Sequence, residues 1–364
     1  MQSAFEKAEN FARRFGFRLP ILLAPMAGAC PTSLSIAVME AGGLGACGAL
    51  MMKPDEILGW ASEVRSNSTG AFQINLWIPE NEPVRDLEHE ARVRAFLEHW
   101  GASVPPEAGD ARPLDFDDQC DALLESGAPI VSSIMGTYPA RFVERLKAGG
   151  IAWFATATTV TEARTAVAAG ADVIVAQGAE AGGHRGAFDA TRAESQQVGL
   201  FALLPAIVDA VDVPVVATGG IADKRGVIAA LALGASAVQI GTGFLRCPEA
   251  GLHPAWADAL LKTLPEDTVV TRAFSGRPGR AIATDFAKAA MSSDAPAPAP
   301  FPVQRGLTGP MRAAGGKSGD IHRMQVWAGQ SAAMARNDQA GQVASQIWNE
   351  ALGLALERGS PDAP

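Results

Sequence analysis

The chain alternates short, continuously apolar runs with longer stretches in which apolar residues recur at helical spacing. Runs that are apolar at every position are typical of parallel strands buried on both faces, and the stretches between them are typical of covering helices. Eight runs have the length of a strand: Ile21–Ala27, Leu44–Ala49, Phe72–Trp77, Ile130–Met135, Ile151–Ala157, Val173–Gln177, Val215–Thr218 and Val238–Gly241. The pattern therefore predicts an α/β fold with eight parallel strands.

Glycines recur immediately before several of these runs, where a helix must end and a strand begin. They stand in Ala41-Gly42-Gly43, Gly149-Gly150, Gly170-Ala171 and Gly234-Ala235. Glycine suits the left-handed residue that closes a helix before a short loop. This repetition of one unit favours a closed TIM (β/α)8 barrel, with an open, doubly wound sheet as the alternative.

Such a barrel needs only about 250 residues, so the remainder must lie in extensions and insertions. Residues 1–20 predict an N-terminal helix that packs on the barrel of residues 21–245. The insertion 79–115 contains an amphipathic helix near Leu87–Trp100, and residues 246–364 form a C-terminal extension with closing helices. Because both additions follow strands, we expect them on the C-terminal face as a second, smaller subdomain that supplies a lid and a substrate wall.

Composition narrows the partners and the location. The 364 residues are 48% hydrophobic, and the net charge of −9 is spread without a basic stripe, which disfavours nucleic acid. Four scattered cysteines form no CxxC pair, which disfavours a metal site or a disulfide framework. The N-terminus lacks the apolar run of a signal peptide, and glycines interrupt the uncharged stretch Gly226–Leu245. We expect a cytoplasmic monomer or homodimer without a membrane segment.

Two glycine turns follow predicted strands seven and eight, at Gly219-Gly220-Ile221 and Gln239-Ile240-Gly241-Thr242. Each leads toward a helix N-terminus and presents backbone N–H groups to one anion, which is the usual phosphate site of such barrels. Thr242 can add a hydroxyl donor, and Asp223 is interpreted as a helix N-cap. No Walker motif or dinucleotide fingerprint competes with this prediction.

Small and polar residues end three other strands. The turn Ala24-Pro25-Met26-Ala27 either lets a flat ring lie against the backbone or simply joins strand to helix. The amide of Asn75 suits a flavin ring or a phosphate oxygen, or serves as a turn residue. After Gln177, a glycine-rich segment with Gly182 and Gly183 carries His184 at its tip, where a histidine can take a proton from a carbon acid or hold an anion.

Together these segments resemble the nitronate monooxygenases, formerly called 2-nitropropane dioxygenases. The resemblance covers most of the chain, and the segment from Gln177 to Gly186 is its most specific part. It extends to Phe274-Ser275-Gly276-Arg277-Pro278 and Val326-Trp327-Ala328-Gly329-Gln330, which look like C-terminal segments of the class I branch.

The resemblance implies FMN as the cofactor and His184 as the active-site residue. It also implies oxidation of an alkyl nitronate by O2 to a carbonyl compound and nitrite, without NAD(P)H or metal. In some members neutral nitroalkanes also react after histidine removes the α-proton. The cofactor-binding residues predicted from pattern and resemblance together are Ala24, Pro25, Met26, Ala27, Asn75, Gln177, Gly182, Gly183, Gly219, Gly220, Gln239, Ile240, Gly241 and Thr242.

One departure from the class I pattern concerns its C-terminal tyrosines. The only tyrosine is Tyr138, and Phe301-Pro302 stands where Tyr-Pro is expected, so the substrate is left open. The alternative function is an NAD(P)H-dependent flavin reductase of enoyl thioesters or quinones, because related flavin enzymes share the barrel and the glycine-histidine segment. A third hypothesis is a flavoprotein that binds FMN without catalysis.

Overall fold

The computed structural model describes residues 1–101 and 103–357. Its strands are β1 Ile21–Leu23, β2 Gly45–Gly48, β3 Phe72–Trp77, β4 Ile130–Ile134, β5 Ala152–Ala157, β6 Val173–Gln177, β7 Gly183–His184, β8 Val215–Thr218, β9 Ala237–Ile240, β10 Thr268–Thr271 and β11 Gly279–Ile282. Eight of them pair in parallel in the order β1-β9-β8-β6-β5-β4-β3-β2. A further parallel bridge between Leu22 and Leu44 joins the two ends, so the predicted TIM barrel is confirmed.

Helices alternate with these strands and then continue into the C-terminal part. They are α1 Gln2–Arg14, α2 Thr32–Glu40, α3 Pro54–Asn67, α4 Leu87–Glu98, α5 Phe116–Glu125, α6 Ala140–Ala148, α7 Val160–Ala168, α8 Leu200–Val208, α9 Lys224–Ala232, α10 Pro254–Lys262, α11 Asp285–Ala289, α12 Val303–Leu307, α13 Gly309–Ser318 and α14 Ala340–Glu357. Short 3₁₀ turns lie at Pro106–Asp110, Thr242–Phe244, Pro248–Ala250, Pro265–Asp267 and Ala332–Met334.

The observed strands follow the predicted apolar runs closely. Strands β3, β6 and β8 have the predicted bounds, whereas β1 ends at Leu23, four residues before the predicted end at Ala27. Pro25 has no N–H for a ladder bond, and the chain turns away there across the end of the barrel. The uncharged stretch at 226–245 is a helix followed by a buried strand, and no helix in the described ranges is long and apolar enough to cross a membrane.

The N-terminal helix closes one end of the barrel. Phe5, Ala8, Phe11 and Ala12 are its buried residues, at the helical spacing seen in the sequence. Phe11 belongs to a core cluster with barrel residues such as Leu22 and Val216, and its ring centroid lies 6.2 Å from that of Phe154. At the chain's other end, α14 packs against α2 and α9 and completes the ring of helices.

A second, smaller hydrophobic core lies apart from the barrel. Its residues come from the 79–115 insertion and from the C-terminal extension: Val93, Leu97, Val104, Ala273, Phe274, Ala281, Phe286, Ala287, Ala299, Val303, Leu307 and Met311. We call the unit formed around this core the cap. An ion pair between the buried Arg277 and the exposed Glu80 also joins the two segments, with Arg277 Nη1 2.7 Å from Glu80 Oε1. Ala102 and residues 358–364, the end of the predicted C-terminal extension, lie outside the described residues.

Candidate active site

A cavity of about 500 Å³ lies between the ends of the barrel strands and the cap. All but one of the residues that the sequence predicts for the site line it: Ala24, Pro25, Met26, Ala27, Asn75, Gln177, Gly182, Gly183, His184, Gly219, Gly220, Gln239, Gly241 and Thr242. The exception is Ile240, whose side chain is buried in the main hydrophobic core. Successive residues along a strand point to opposite faces of the sheet. Because Ile240 points into the core, Gln239 and Gly241 on either side of it point into the cavity.

Backbone donors converge at the end of β8 and β9. In the part of the chain that the structure describes, the N–H groups of Gly219, Gly220, Gly241 and Thr242 donate to no backbone carbonyl or side chain. None of the four residues is buried, so their N–H groups are accessible from the cavity, and four free donors on one wall fit an anionic ligand. We call these four residues the amide cradle. Asp223 caps the adjacent helix α9 as predicted, accepting from the N–H groups of Arg225 and Gly226.

Glycine is required at specific points of this wall. Gly219 and Gly220 have φ of +114° and +69°, a region that side chains with a Cβ rarely adopt. A Cβ on Gly182 would press on the backbone of Ala328 and Gly329, which belong to the C-terminal extension. The backbones of the barrel and the extension therefore lie in close contact at Gly182.

The three amide side chains of the predicted set have partners within the protein. Gln177 Nε2 donates to the carbonyl of His184 at 3.1 Å, and Gln177 Oε1 accepts from the N–H of Gly186 at 2.8 Å. Asn75 Nδ2 donates to Ser132 Oγ at 3.1 Å, and Gln239 Oε1 accepts from Gln73 at 3.2 Å. Gln177 thus fixes the segment that carries His184.

His184 lies in a short strand, not at the tip of a free loop. Strand β7 pairs antiparallel with β11 of the C-terminal extension, with His184 opposite Gly279. The imidazole stands between two tryptophans, with ring centroids 4.6 Å from Trp77 and 4.7 Å from Trp327. The extension therefore holds the histidine over the barrel mouth.

A serine orients the imidazole. His184 Nε2 lies 2.8 Å from Ser275 Oγ, and Ser275 Oγ donates to the carbonyl of Arg277 at 3.2 Å. Because the hydroxyl has one proton, and that proton is given to the carbonyl, the oxygen accepts from an Nε2–H group. This arrangement leaves the lone pair of the imidazole on Nδ1.

The imidazole is neutral in this environment. Burial, with smaller contributions from the positive charges of Arg277 and Arg305, lowers the pKa of His184 from 6.5 to about 3. The sequence left open whether His184 is a cation or a neutral base, and burial favours the neutral base.

Several cavity residues were not predicted from the sequence. They come mainly from the end of β3 and from the C-terminal extension: Trp77, Ser275, Phe301, Arg305, Arg312 and Trp327. Ser275 and Trp327 stand in segments that carry the family resemblance, which was the one available signal. Tyr138 is buried against Ser132, to whose carbonyl it donates at 2.9 Å, and Phe301 occupies the cavity wall beside Trp77.

Comparisons with known proteins identify the family of the chain. The nitronate monooxygenase family matches residues 13–350. A probable nitronate monooxygenase of Staphylococcus aureus (strain Newman) is 34% identical over 334 residues, covering 91% of this chain and 94% of that protein.

Solved structures extend the similarity to the cap. A nitroalkane oxidase from Streptomyces ansochromogenes superimposes with a TM-score of 0.87 at 35% identity, covering 96% of this chain and 100% of that one. FabK from Thermotoga maritima superimposes with a TM-score of 0.73 at 29% identity, covering 94% and 95%. The family match over nearly the whole length and the 34% identity to a curated relative show that the chain belongs to the nitronate monooxygenase family.

Proposed function

We propose that the protein is an FMN-dependent monooxygenase that oxidises alkyl nitronates, and neutral nitroalkanes after deprotonation, with O2 to a carbonyl compound and nitrite. The family and the similarity to a nitroalkane oxidase support this proposal. The observation that carries it is the position of a neutral, oriented His184 in the same cavity as the amide cradle. One group suits proton removal and the other suits an anionic cofactor.

The residues present fit FMN. The amide cradle would hold the phosphate, because its four N–H groups have no acceptor among the described residues. The turn Ala24–Ala27 and Gly182 would face the flat ring, since the two alanines and the glycine leave room against the backbone. Asn75 and Gln239 would serve the ring edge with amide atoms that their present partners leave free. Bound FMN supplies the electron acceptor that links substrate oxidation to O2.

His184 would take the α-proton of a nitroalkane at Nδ1. Its Nε2–H is held by Ser275, so the ring is oriented before the substrate arrives. The rings of Trp77 and Trp327 pack against the imidazole, and this apolar contact favours its neutral form. A nitronate already lacks that proton and would bypass this step.

We also propose that the cap acts as the substrate wall and lid, and that the N-terminal helix and α14 are structural parts of the barrel. The cap supplies Ser275, Phe301 and Trp327 to the cavity, and its core is separate from that of the barrel. Four buried free cysteines suit a reducing compartment, which supports a cytoplasmic protein. Its oligomeric state is proposed to be a monomer or homodimer.

The test is the absorbance spectrum and the nitrite yield of the purified protein with ethyl nitronate and nitroethane in air. We expect a flavin spectrum and nitrite from both compounds. Anaerobic mixing with NADH or NADPH checks the alternative, because rapid bleaching of the flavin would instead favour a reductase. A colourless protein that takes up no FMN contradicts the cofactor, and a yellow protein that forms no nitrite contradicts the reaction.

A further inference from the structure

Two arginines of the cap face the cavity. Arg305 lies in α12 and Arg312 in α13, and both side chains are half-buried. They line the same cavity as Phe301, Trp327 and His184. Arg305 is close enough to His184 for its charge to lower the pKa of that imidazole.

These two arginines differ from the other buried arginines of the site in lacking an acidic neighbour. Arg277 pairs with Glu80 at 2.7 Å, and Glu180 lies near Arg280. Among residues 1–101 and 103–357, neither Arg305 nor Arg312 has a carboxylate within ion-pair distance. Burial lowers the pKa of both guanidinium groups, and no acid offsets that effect. Two neighbouring cations in a cavity without a counterion favour an anionic ligand.

The hydrogen bonds assign different roles to the pair. Arg312 Nε donates to Thr308 Oγ1 at 3.1 Å, and Arg312 Nη2 donates to the carbonyl of Arg305 at 2.8 Å. Thr308 is itself anchored to the carbonyl of Phe274 at 2.6 Å. The guanidinium of Arg305 makes no hydrogen bond to any described residue. Arg312 therefore braces the helix turn that carries Arg305, and Arg305 keeps its five donors for a ligand.

The charge of the substrate also needs a partner. A nitronate carries its negative charge on two oxygens in one plane, a geometry that matches the planar fork of a guanidinium. His184 is neutral and has one N–H, which Ser275 holds. Arg277 is occupied by Glu80 and by the carbonyl of Ala187. Arg305 is the cavity-facing cation left free among the described residues.

We infer that Arg305, positioned by Arg312, binds the two oxygens of the substrate's nitronate group and is a specificity-determining residue for the anionic substrate. The inference rests on the proposed function, since it assigns one part of that reaction's binding site. It separates two tasks within the cavity: His184 removes a proton, and Arg305 holds the negative charge.

The experiment compares the flavin-loaded protein with Arg305→Gln and Arg305→Lys, using ethyl nitronate and nitroethane. For ethyl nitronate we expect KM to rise about 10- to 100-fold in Arg305→Gln, as for loss of a hydrogen-bonded charge pair. For neutral nitroethane we expect KM to change little and kcat to fall, because negative charge develops on the nitro oxygens only during deprotonation. Arg305→Lys, which keeps the charge, should lie between wild type and Arg305→Gln.

The matched control is Arg145→Gln, which removes an exposed arginine paired with Asp121 on the outside of the barrel. It should leave both substrates unaffected. If Arg305→Gln raised KM and lowered kcat equally for both substrates, and also lowered the unfolding midpoint, the role of Arg305 would be structural. That result would overturn the inference. Weaker FMN binding in that variant would overturn it too, since the arginine would then serve the cofactor.

Two further measurements test whether Arg305 recognises the nitronate group. The first is a third substrate, a nitronate that also carries a carboxylate. If Arg305→Gln weakens the binding of this substrate but not that of ethyl nitronate, the arginine binds carboxylates and the assignment is wrong. Calorimetric titration of the flavin-loaded protein with nitrate, a planar oxyanion, requires no turnover. Nitrate binding that weakens in Arg305→Gln supports the anion site even if wild type forms no nitrite, whereas unchanged nitrate binding contradicts it.

Discussion

The two walls of the cavity are built on different principles. The barrel wall offers the amide cradle, in which glycine turns at the strand ends expose backbone donors. The cap wall offers side chains, with Ser275, Trp327 and Arg305 set on a separate hydrophobic core. Backbone donors recognise a constant group such as a phosphate, whereas side chains can be exchanged without disturbing the barrel. Under the proposed function, the barrel wall would hold the cofactor, and substitutions in the cap wall would change the substrate without disturbing the cofactor site.

We expect the largest effect on the barrel wall from the substitution Gly220→Val. The residue has φ of +69°, where a β-branched side chain is strained, and its Cβ would meet the Glu180 side chain at 3.3 Å. We expect FMN affinity to fall by about 100-fold or more as the cradle amides move. Flavin content and FMN titration measure this effect.

Gly150→Val is the matched control for that variant. Gly150 has a similar φ of +66°, a Cβ added there would meet no other atom within 4 Å, and the residue belongs to a loop between helix and strand. Its variant should lose stability but keep FMN. Equal loss of FMN in both variants would mean that backbone strain, and not the cradle, explains the result.

The substrate side of the cavity is tested by His184→Asn, because the cap residues Ser275 and Trp327 contact the imidazole of this barrel residue. Without the base at the cavity, nitroethane turnover should fall by about 10²-fold or more, while nitronate turnover falls less and FMN stays bound. The control is His99→Asn, because His99 is exposed and its imidazole forms a local hydrogen bond with the carbonyl of Ala95. Loss of FMN in His184→Asn would show that the two walls are not separate in function.

A smaller effect is expected from Ser275→Ala. Removal of the hydroxyl frees the imidazole to rotate and to change tautomer, so kcat for nitroethane should drop by about 10-fold. Turnover of ethyl nitronate should stay within about twofold, because that substrate needs no proton transfer to His184. Ser345→Ala, on helix α14, serves as the control. Equal loss for both substrates would contradict the orienting role.

The smallest effect is a pH dependence of stability. The pKa of His184 is about 3 in the folded protein and near 6.5 when exposed, so the unfolded chain binds more protons between these values. Folding stability should therefore decrease as pH falls from 6.5 toward 3, by at most about 1.4 kcal/mol per pH unit from this group. We expect the free energy of unfolding, measured with urea, to decrease less between pH 7 and pH 5 for His184→Asn than for wild type. An identical decrease in both proteins would show that a group other than His184 causes the pH dependence.

The sequence predicted the barrel wall well because its signals are local. Apolar runs and glycine pairs mark the strands, and Gly219, Gly220 and Gly241 follow them directly. The cap wall was harder to predict. Arg305 and Ser275 are distant in sequence from His184, and a lone arginine on a helix carries no sign that its charge is left unpaired in the fold. The strand β7 was missed for the same reason, since its partner β11 lies about 95 residues further along the chain.

The shared core of the cap has a consequence for the order in which the molecule is completed during synthesis. Val93, Leu97 and Val104 leave the ribosome long before Phe274 and Met311, with which they pack. Because chains are made from the N-terminus, the insertion must wait with its apolar face exposed until these partners emerge. Helix α14, which completes the ring around the barrel, emerges later still. The nascent chain should therefore be most prone to aggregation, and most dependent on chaperones, after the insertion has been synthesised and before its C-terminal partners have emerged.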